Sequence, residues 1–350
     1  MKRYWPILII TFLSGVYDAS AGSMVEGPPT GFYWISGNYP EFDTIGQITN
    51  TPEDIVFYVA RYKDDKACAI SYTFDDGLRE HYTWVTPRLK QLNFKGTFWI
   101  NGSKINADKK HITDTTRIAW DELKKMASLG HEISNHGWAH KNFGKFSLAE
   151  IREDIEKNDS AIWANIGVSP ITFCYPNNTK TPEGVALASA GRVGTRMEQR
   201  SVGGKSTPTN LEIWVADLIR NRGWGVTMTH GIHYGYDHFS DPGILWEHLK
   251  KVKAREDKIW VGTFEEVTAY TKERDAISYE IKNKKNGMLV TPQLSLNKTL
   301  FTQPLTGVIN KQVKSIQISQ GKNKLAPHIL KDKVLFDFDP FGGAIDISFR

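Results

Sequence analysis

The stretch Ala67–Gly77 reads ACAISYTFDDG. It is an apolar run that ends in two adjacent carboxylates, Asp75 and Asp76, and this pattern predicts a buried strand that leads into a loop. Parallel α/β folds place their active-site groups at that end of a strand. Two neighbouring residues leaving a strand point in different directions, so one carboxylate can bind a metal ion while the other acts as a base. An ordinary Asp-Asp-Gly turn has the same residues, and the motif alone leaves both interpretations open.

Outward from this stretch, strand-like and helix-like segments alternate as far as about residue 272. The strand-like segments are 67–74, 94–100, 171–175 and 225–229, and the helix-like ones are 117–129, 147–167, 181–191, 241–255 and 263–272. Two helix starts carry a capping box, Ser147 with Glu150 and Thr263 with Glu266. The alternation predicts a parallel α/β barrel or a doubly wound sheet.

The pattern changes after residue 275. Apolar residues there alternate with polar ones, as at Ile277, Tyr279 and Ile281, and Asn286-Gly287 is a strong hairpin signal. We therefore expect residues 275–350 to form a small all-β, sandwich-like domain. This segment has ten Lys and one Arg against six acidic residues. A solvated basic face explains that excess more simply than a binding site for acidic glycans.

The composition is that of a globular protein. The 350 residues are 40% hydrophobic and 24% charged with a formal net charge of +5, which excludes a wholly disordered, collagen-like or disulfide-scaffold protein. The length suggests about two domains, and so mild a charge gives no reason to expect a nucleic-acid partner. Cys68 and Cys174 fall on the strand-like segments 67–74 and 171–175, which are not consecutive strands and would lie too far apart in a barrel to bridge, so we expect both to be buried and unbridged.

The first 21 residues are typical of a secretory signal peptide. The basic start Lys2-Arg3 precedes the apolar run 5–16, and Ala19-Ser20-Ala21 fits cleavage after Ala21. The run is short for a membrane span, although a retained N-terminal anchor is the alternative interpretation. We expect a secreted or periplasmic protein without a stable membrane span after cleavage of the signal.

Histidines supply the other candidate metal ligands. His136 and His140 are four residues apart, and on a helical turn this spacing would put both imidazoles on one face. With Asp76 they make an Asp-His-His set, the composition of a catalytic divalent-metal site, although two helix-surface histidines would have the same spacing. His230 follows a strand-like segment and is a candidate general acid. An alternative zinc half-site with His233 lacks further ligands at suitable spacing.

Taken in order, these motifs resemble the polysaccharide deacetylase family, which has the NodB-like fold of carbohydrate esterase family four. The resemblance covers about residues 67–272 and rests on Thr-Phe-Asp-Asp-Gly at 73–77, the strand 96–102, His-x-x-x-His with its lead-in 129–135, Phe173-Cys174-Tyr175-Pro176, and Met228-Thr229-His230. It implies an α/β fold with a distorted (β/α) barrel of seven or eight strands. The expected division of the chain is a signal peptide 1–21, an N-terminal extension 22–66, a catalytic domain 67–274 and a β domain 275–350.

The resemblance also implies roles for the motif residues. Asp75 would be the general base, His230 the general acid, and Asp76, His136 and His140 the metal ligands. The reaction would be the attack of metal-bound water on the acetyl carbonyl of an N- or O-acetylated polysaccharide. Zn²⁺ is the expected metal, although the same ligands serve Co²⁺, Ni²⁺ or Mn²⁺. The expected substrate-binding residues are Tyr175, Pro176, Trp138 and Arg196, with a Tyr175 backbone N–H near the oxyanion.

The sequence departs from the family pattern in three places. Gly137 stands where Ser or Thr is usual, and the third motif lacks its Arg and continues as Asn177-Asn178. Arg196 is the candidate to supply the missing positive charge. The fourth motif has no secure position among Trp214, Asp217 and Trp224. A non-catalytic glycan-binding protein on the same fold is therefore the alternative function. A glycosidase is less favoured, because it needs two carboxylates flanking the scissile bond and one of the two here is assigned to the metal.

Overall fold

The structure is a computed structural model that describes residues 56–349. The expected signal peptide 1–21 and most of the 22–66 extension lie outside the described residues. The described part begins with strand β1 (Val56–Val59) and a short 3-10 turn (Lys63–Asp65). No helix of residues 56–349 is both long enough and apolar enough to span a bilayer.

Parallel strands and helices alternate through the next two hundred residues. The strands are β2 (Cys68–Ser71), β3 (Thr73–Asp75), β4 (Thr97–Ile100), β5 (Glu132–Asn135), β6 (Thr172–Cys174), β7 (Gly194–Arg196), β8 (Arg200–Ser201), β9 (Trp224–Met228) and β10 (Ile259–Val261). The helices are α1 (Thr86–Gln91), α2 (Trp120–Ser128), α3 (Leu148–Ile166), α4 (Pro182–Ser189), α5 (Pro208–Asn221), α6 (Gly243–Lys253) and α7 (Phe264–Ala276). A π-helical turn (His81–Val85) leads into α1, and 3-10 turns cover Gly102–Lys104 and Pro176–Asn178.

A break at Tyr72 distorts the barrel. On the N-terminal side of the break, β2 pairs with β9 and β10. On its C-terminal side, β3 pairs with β4, and Phe74 of β3 forms a bridge with Thr229, the residue after β9. The sheet continues from β4 through β5 and β6 to β7, while β8 flanks β9. Within residues 56–349 no pairing joins β7 to β8, so the barrel is open there. The prediction of a distorted (β/α) barrel is confirmed, with eight strands when β2 and β3 count as one.

Each segment predicted from sequence contains a strand or helix of the predicted kind. All residues of β2, β4 and β5 are buried, as expected of parallel strands covered on both faces. Both predicted capping boxes are present, at the starts of α3 and α7. The sequence did not predict helix α1 or the strands β5, β7, β8 and β10, nor did it predict helix α5. Its capping box pairs Thr207 with Asn210 instead of the usual Glu or Gln, so the signal at its start is weaker.

Two antiparallel sheets follow the barrel and form a sandwich. Their strands are β11 (Ser278–Lys284), β12 (Gly287–Gln293), β13 (Leu305–Asn310), β14 (Ile316–Gln320), β15 (Asn323–Leu325), β16 (His328–Ile329), β17 (Val334–Phe338) and β18 (Ile345–Phe349). The sheet orders are β1-β13-β17-β16 and β11-β12-β18-β14-β15. One apolar core fills the space between them, with Val290, Ile309, Phe336 and Ile347 among its members. The predicted all-β sandwich is confirmed, and the expected hairpin connects β11 to β12.

One strand of this sandwich comes from an unexpected part of the chain. β1 lies within the stretch expected to be an N-terminal extension, yet it pairs antiparallel with β13 along its whole length. We call β1 together with residues 278–349 the β module. The division of the chain into domains stays a prediction, and the structure adds Val56–Val59 to the β module.

Candidate active site

The candidate site lies where the carboxyl ends of the barrel strands meet. Asp75 is the last residue of β3, and His136 directly follows β5. Cys174 ends β6, Arg196 ends β7, and His230 comes two residues after β9. Parallel strands bring their carboxyl ends to one edge of the barrel. Side chains that are far apart in sequence therefore converge here.

Arg196 holds Asp75 by a bidentate ion pair. Arg196 Nη1 donates to Asp75 Oδ1 at 2.8 Å, and Nη2 donates to Oδ2 at 2.5 Å. Burial alone would raise the pKa of Asp75, but the charge and hydrogen bonds of Arg196 outweigh burial and lower the pKa to about 2. The carboxylate is therefore ionised at neutral pH. Arg196 is only 1% exposed, which suits a charge partner of Asp75 and leaves it no surface for substrate.

Asp76, His136 and His140 form a compact donor set. Asp76 Oδ1 lies 3.6 Å from His136 Nε2 and 3.7 Å from His140 Nε2, and the two rings are 4.7 Å apart at their centroids. Asp76 is in the left-handed region at φ 75°, which is a costly conformation for a non-glycine residue. The three candidate ligands predicted from sequence are brought together.

The donor set fits a metal ion. Two ligand atoms about 2.1 Å from one tetrahedral ion lie roughly 3.4 Å apart, close to the separations seen here. Asp76 Oδ1 is buried without a hydrogen-bond partner among residues 56–349. His136 Nδ1–H donates to the Cys174 carbonyl at 2.8 Å, which leaves the Nε2 lone pair directed outward as a ligand. Burial holds the pKa of His136 well below its usual range, so the ring is neutral.

A second grouping of donors, Asp75, His136 and Cys174, is less suited to a metal. Asp75 is already bound by Arg196, and His136 uses Nδ1 to bind the Cys174 carbonyl. Burial raises the pKa of the Cys174 thiol well above its ordinary value, so it is not a thiolate. Cys174 and Cys68 are both buried and free, as predicted.

The segment between the two histidines is a loop, and the expected helical turn is wrong. Gly137 has φ 76° and His140 has φ 56°, both incompatible with a right-handed helix. Helix α3 shapes the loop through Asp154, which accepts from the backbone N–H of Trp138 on its carbonyl (3.1 Å) and of Ala139 on its carboxylate (2.8 Å). A Cβ at position 137 would collide with the Asp154 carboxylate, which explains why this chain has Gly there.

His230 faces Asp75 from the other side of the site. Its Nε2 lies 3.8 Å from Asp75 Oδ2, and its Nδ1 is buried without a hydrogen-bond partner in the described residues. The side chain is 12% exposed, so a bound substrate atom can reach it. This position suits a proton donor at the edge of the site.

Two residues that the sequence analysis did not assign to the site position the backbone around His230. The buried Glu80 carboxylate accepts from the backbone N–H groups of Ile232 and His233, and it also binds His233 Nδ1 at 3.0 Å. His81 Nε2–H donates to the His230 carbonyl at 2.8 Å. His233 is therefore paired with Glu80 and is no half of a zinc site. The signal in the sequence that could have identified Glu80 and His81 as site residues is their position shortly after the motif 73–77.

The third motif has a buried Tyr and an unusual turn. Tyr175 is 1% exposed and its hydroxyl donates to Thr195 Oγ1 at 2.9 Å, so its ring is not open to a substrate. Pro176 is buried and packs near Gly137. Asn177 and Asn178 both lie in the left-handed region, which Asn tolerates better than most residues. This backbone explains the Asn-Asn pair that replaces the usual residues.

The tryptophans near the motifs differ in burial. Trp99 is fully buried, whereas Trp138 is half-buried with its ring against Gly102 and the Lys157 ammonium 4.7 Å from the ring centroid. The fourth-motif candidates do not gather at one place. Trp214 packs near His248 and Arg200, Asp217 pairs with Arg220, and Trp224 donates to Ser71 Oγ.

Part of the chain is similar to known proteins. Residues 62–194 match the family model described as polysaccharide deacetylase. A peptidoglycan-N-acetylglucosamine deacetylase of Bacillus cereus is 32% identical over 102 residues, which are 29% of this chain and 33% of the relative. A bifunctional xylanase/deacetylase of Pseudobutyrivibrio xylanivorans is 25% identical over 176 residues, 49% of this chain and 27% of the relative.

One match that covers more of the chain has another activity in its name. A gellan lyase of a Bacillus species is 25% identical over 292 residues, which are 71% of this chain but 11% of the lyase. A family 4 acetyl xylan esterase from Clostridium thermocellum, solved with a cobalt ion, aligns with a TM-score of 0.43 at 23% identity over 57% of this chain and 89% of its own. The chain spans at most about a third of the curated relatives named here. Through residues 62–194 the chain is similar to the polysaccharide deacetylase family.

Proposed function

We propose that the chain is a metal-dependent hydrolase that removes acetyl groups from an N- or O-acetylated polysaccharide. One observation carries the proposal: the Asp76, His136 and His140 donor set lies beside a carboxylate held ionised and an imidazole that faces it. A metal-binding set with a separate base and acid can hydrolyse an acyl group, because it activates water and protonates the leaving group. The match of residues 62–194 to the polysaccharide deacetylase model supports a polysaccharide as the substrate class.

Asp76, His136 and His140 would hold a divalent metal, with Zn²⁺ proposed and Co²⁺, Ni²⁺ or Mn²⁺ accepted by the same donors. When bound, the metal supplies a Lewis acid that lowers the pKa of water and polarises the acetyl carbonyl. The carbonyl of Cys174 fixes the tautomer of His136, and Asp154 fixes the loop that carries both histidines. The protein thereby sets the positions of all three donors in advance.

Asp75 and His230 move the protons. Asp75, kept ionised by Arg196, accepts a proton from the water whose oxygen bonds to the carbonyl carbon. His230 then donates a proton to the sugar nitrogen or oxygen as its bond to that carbon breaks, which releases acetate and the amine or alcohol. The backbone N–H of Tyr175 is the proposed donor to the oxyanion.

The glycan-binding alternative loses its main support. It rested on the missing third-motif Arg, and Arg196 makes the corresponding bidentate pair with Asp75. A protein that only binds glycans would gain nothing from holding a buried carboxylate ionised beside an imidazole. We therefore favour the deacetylase.

Acetate release by the purified chain tests the proposal. The panel is chitooligosaccharide, peptidoglycan and acetylated xylan, each with added zinc and with chelator. We expect metal-dependent release from one substrate, which also identifies the substrate class. A chain that binds one zinc yet releases no acetate from any of them would favour the glycan-binding alternative.

Metal content tests the donor set separately from turnover. We expect His136→Ala and Asp76→Asn to lose zinc binding measured by elemental analysis after dialysis. His111→Ala is the matched control, because His111 forms an exposed pair with Asp108 and is not one of the candidate ligands. Zinc retained by the His136 and Asp76 variants would overturn the assignment.

We also propose a secreted or periplasmic location, which rests on the leader at residues 1–21. N-terminal sequencing of the protein from its native cells tests this. A mature chain that starts after Ala21 is expected, and one that starts at Met1 would contradict it.

A further inference from the structure

An exposed aromatic ring stands beside the candidate general acid. Tyr236 is 73% exposed, the highest value among the large hydrophobic side chains that the structure exposes. Its ring meets the His230 ring edge to face, with centroids 5.0 Å apart and planes at 86°. A large aromatic surface left open to water next to reacting groups is a feature that the mechanism described above does not use.

Hydrogen bonds of the loop 230–238, which we call the His230 loop, fix the backbone that carries the exposed Tyr236. The Gly231 N–H donates to the Tyr236 carbonyl at 3.1 Å and closes the loop on itself. The next residue, Asp237, anchors it: the Gly204 N–H donates to its carbonyl (2.9 Å) and carboxylate (3.0 Å), and Ser201 Oγ donates to the same carboxylate.

The other arm of the loop is anchored as well. Glu80 binds the backbone N–H groups of Ile232 and His233, and His81 binds the His230 carbonyl. Tyr236 is thus presented on a backbone fixed from both sides. An aromatic ring held in place before binding loses little conformational entropy when a ligand covers it, so the contact contributes most of its burial energy to affinity.

We propose that Tyr236 forms a carbohydrate subsite and stacks on the apolar face of the pyranose whose nitrogen or oxygen receives the proton from His230. This rests on the proposed function. The atom protonated by His230 belongs to a sugar, so a pyranose must lie against His230 during the reaction. The ring beside that position is Tyr236. Aromatic side chains offer a flat apolar face together with a polar end, which matches the alternating C–H and hydroxyl surface of a sugar.

The proposal predicts a split between two substrates. For Tyr236→Ala in the zinc-loaded full chain we expect KM for the responsive glycan to rise about tenfold or more. Hydrolysis of 4-nitrophenyl acetate, which has no pyranose, should change less than about twofold. Tyr236→Phe and Tyr236→Trp should restore KM for the glycan because they keep the ring. Trp163→Ala is the matched control, since Trp163 is 58% exposed on α3.

Binding of chitohexaose and xylohexaose by calorimetry gives a readout that does not need turnover. Weaker binding of either oligosaccharide by Tyr236→Ala than by wild type supports the subsite even if no acetate is released, in which case only the proposed function fails. If Tyr236→Ala and the wild type have equal KM for the glycan and bind the oligosaccharides equally, the subsite is overturned. It is also overturned if Tyr236→Ala loses activity equally on the glycan and on 4-nitrophenyl acetate, because the variant would then disturb His230. Wild-type protein that neither binds nor deacetylates any glycan overturns both proposals.

Discussion

Asp75 and Arg196 join the first and last strands of the five-stranded part of the barrel. The order of that sheet is β3-β4-β5-β6-β7, with Asp75 at the end of β3 and Arg196 at the end of β7. Their two hydrogen bonds, of 2.8 and 2.5 Å, therefore close the curve of the sheet as well as hold the carboxylate ionised.

We expect Arg196→Lys to lower kcat for deacetylation about a hundredfold or more, because an ammonium cannot reproduce the two parallel hydrogen bonds of a guanidinium. Arg196→Met, which leaves a buried carboxylate unpaired, should also lower the free energy of unfolding by about 3–5 kcal/mol. Acetate release and urea unfolding measure the two effects. Arg220→Lys, in an exposed pair with Asp217, is the control. Wild-type kcat in Arg196→Lys would contradict the role given to the pair.

Gly137→Ala should weaken zinc binding at least about tenfold, because its new Cβ collides with the Asp154 carboxylate that shapes the loop between the two histidines. Gly191→Ala is the control that introduces the same kind of backbone strain without a steric collision. Gly191 also has a left-handed φ, of 67°, but a Cβ there meets nothing within 4 Å. Zinc titration of both variants measures the difference. If both variants bind zinc as tightly as the wild type, the Asp154 contact does not position the ligands.

Glu80→Ala should lower kcat by about a hundredfold with a smaller effect on KM, since misplacing a catalytic group by about 1 Å has a cost of that size. The variant removes the acceptor of the Ile232 and His233 N–H groups in the loop that carries His230. His233→Ala removes only the side-chain part of the contact, and its kcat should stay within about threefold of the wild type. Steady-state kinetics measure both. An equal loss in the two variants would mean that the side-chain pair, and not the backbone contact, matters.

Glu273 on α7 should make the protein less stable as pH rises through the range from about 4.5 to 7. The side chain is fully buried, Oε1 accepts the Gln303 N–H at 3.0 Å, and Oε2 has no hydrogen-bond partner among residues 56–349. Burial and the nearby Asp339 raise its pKa to about 7, against the opposing effect of the Gln303 N–H. The folded state therefore holds the proton more tightly than the unfolded state, and its stability is greatest below the unfolded pKa.

Glu273→Gln keeps the acceptor for Gln303 and removes the charge. We expect its free energy of unfolding to exceed that of the wild type at pH 8, by an amount on the order of 1–3 kcal/mol, and to match it near pH 4.5. Urea unfolding at the two pH values measures this. Glu280→Gln, on the exposed side of β11, should show no such pH dependence. A Glu273→Gln variant equal to the wild type at pH 8 would show that the buried carboxylate costs nothing.

The sequence could predict those parts of the fold and site that depend on neighbours in the chain. The apolar run into Asp75, the capping boxes of α3 and α7 and the Asn286-Gly287 hairpin are all short-range patterns, and each is present in the structure. The metal ligand set could be proposed because its residues stand in two short motifs.

The parts that could not be predicted depend on contacts between distant residues. The conformation of the His136–His140 loop is set by Asp154 from α3, so the spacing of the histidines suggested a helical turn instead. The exposure of Arg196 and Tyr175 depends on how β6 and β7 pack, which a motif does not encode. Glu80 binds the Ile232 and His233 N–H groups of the His230 loop, and these partners are more than 150 positions away in the sequence.

The pairing of β1 with β13 bears on how the chain folds as it is made. β1 leaves the ribosome before any barrel strand, whereas β13 leaves it after all of them. The first strand must therefore wait, with an unpaired edge, until the barrel has been synthesised. Once β13 has been synthesised, its pairing with β1 connects the segment before the barrel to the segment after it. A chain cut after α7 would keep every candidate site residue and yet leave β1 without the strand it pairs with.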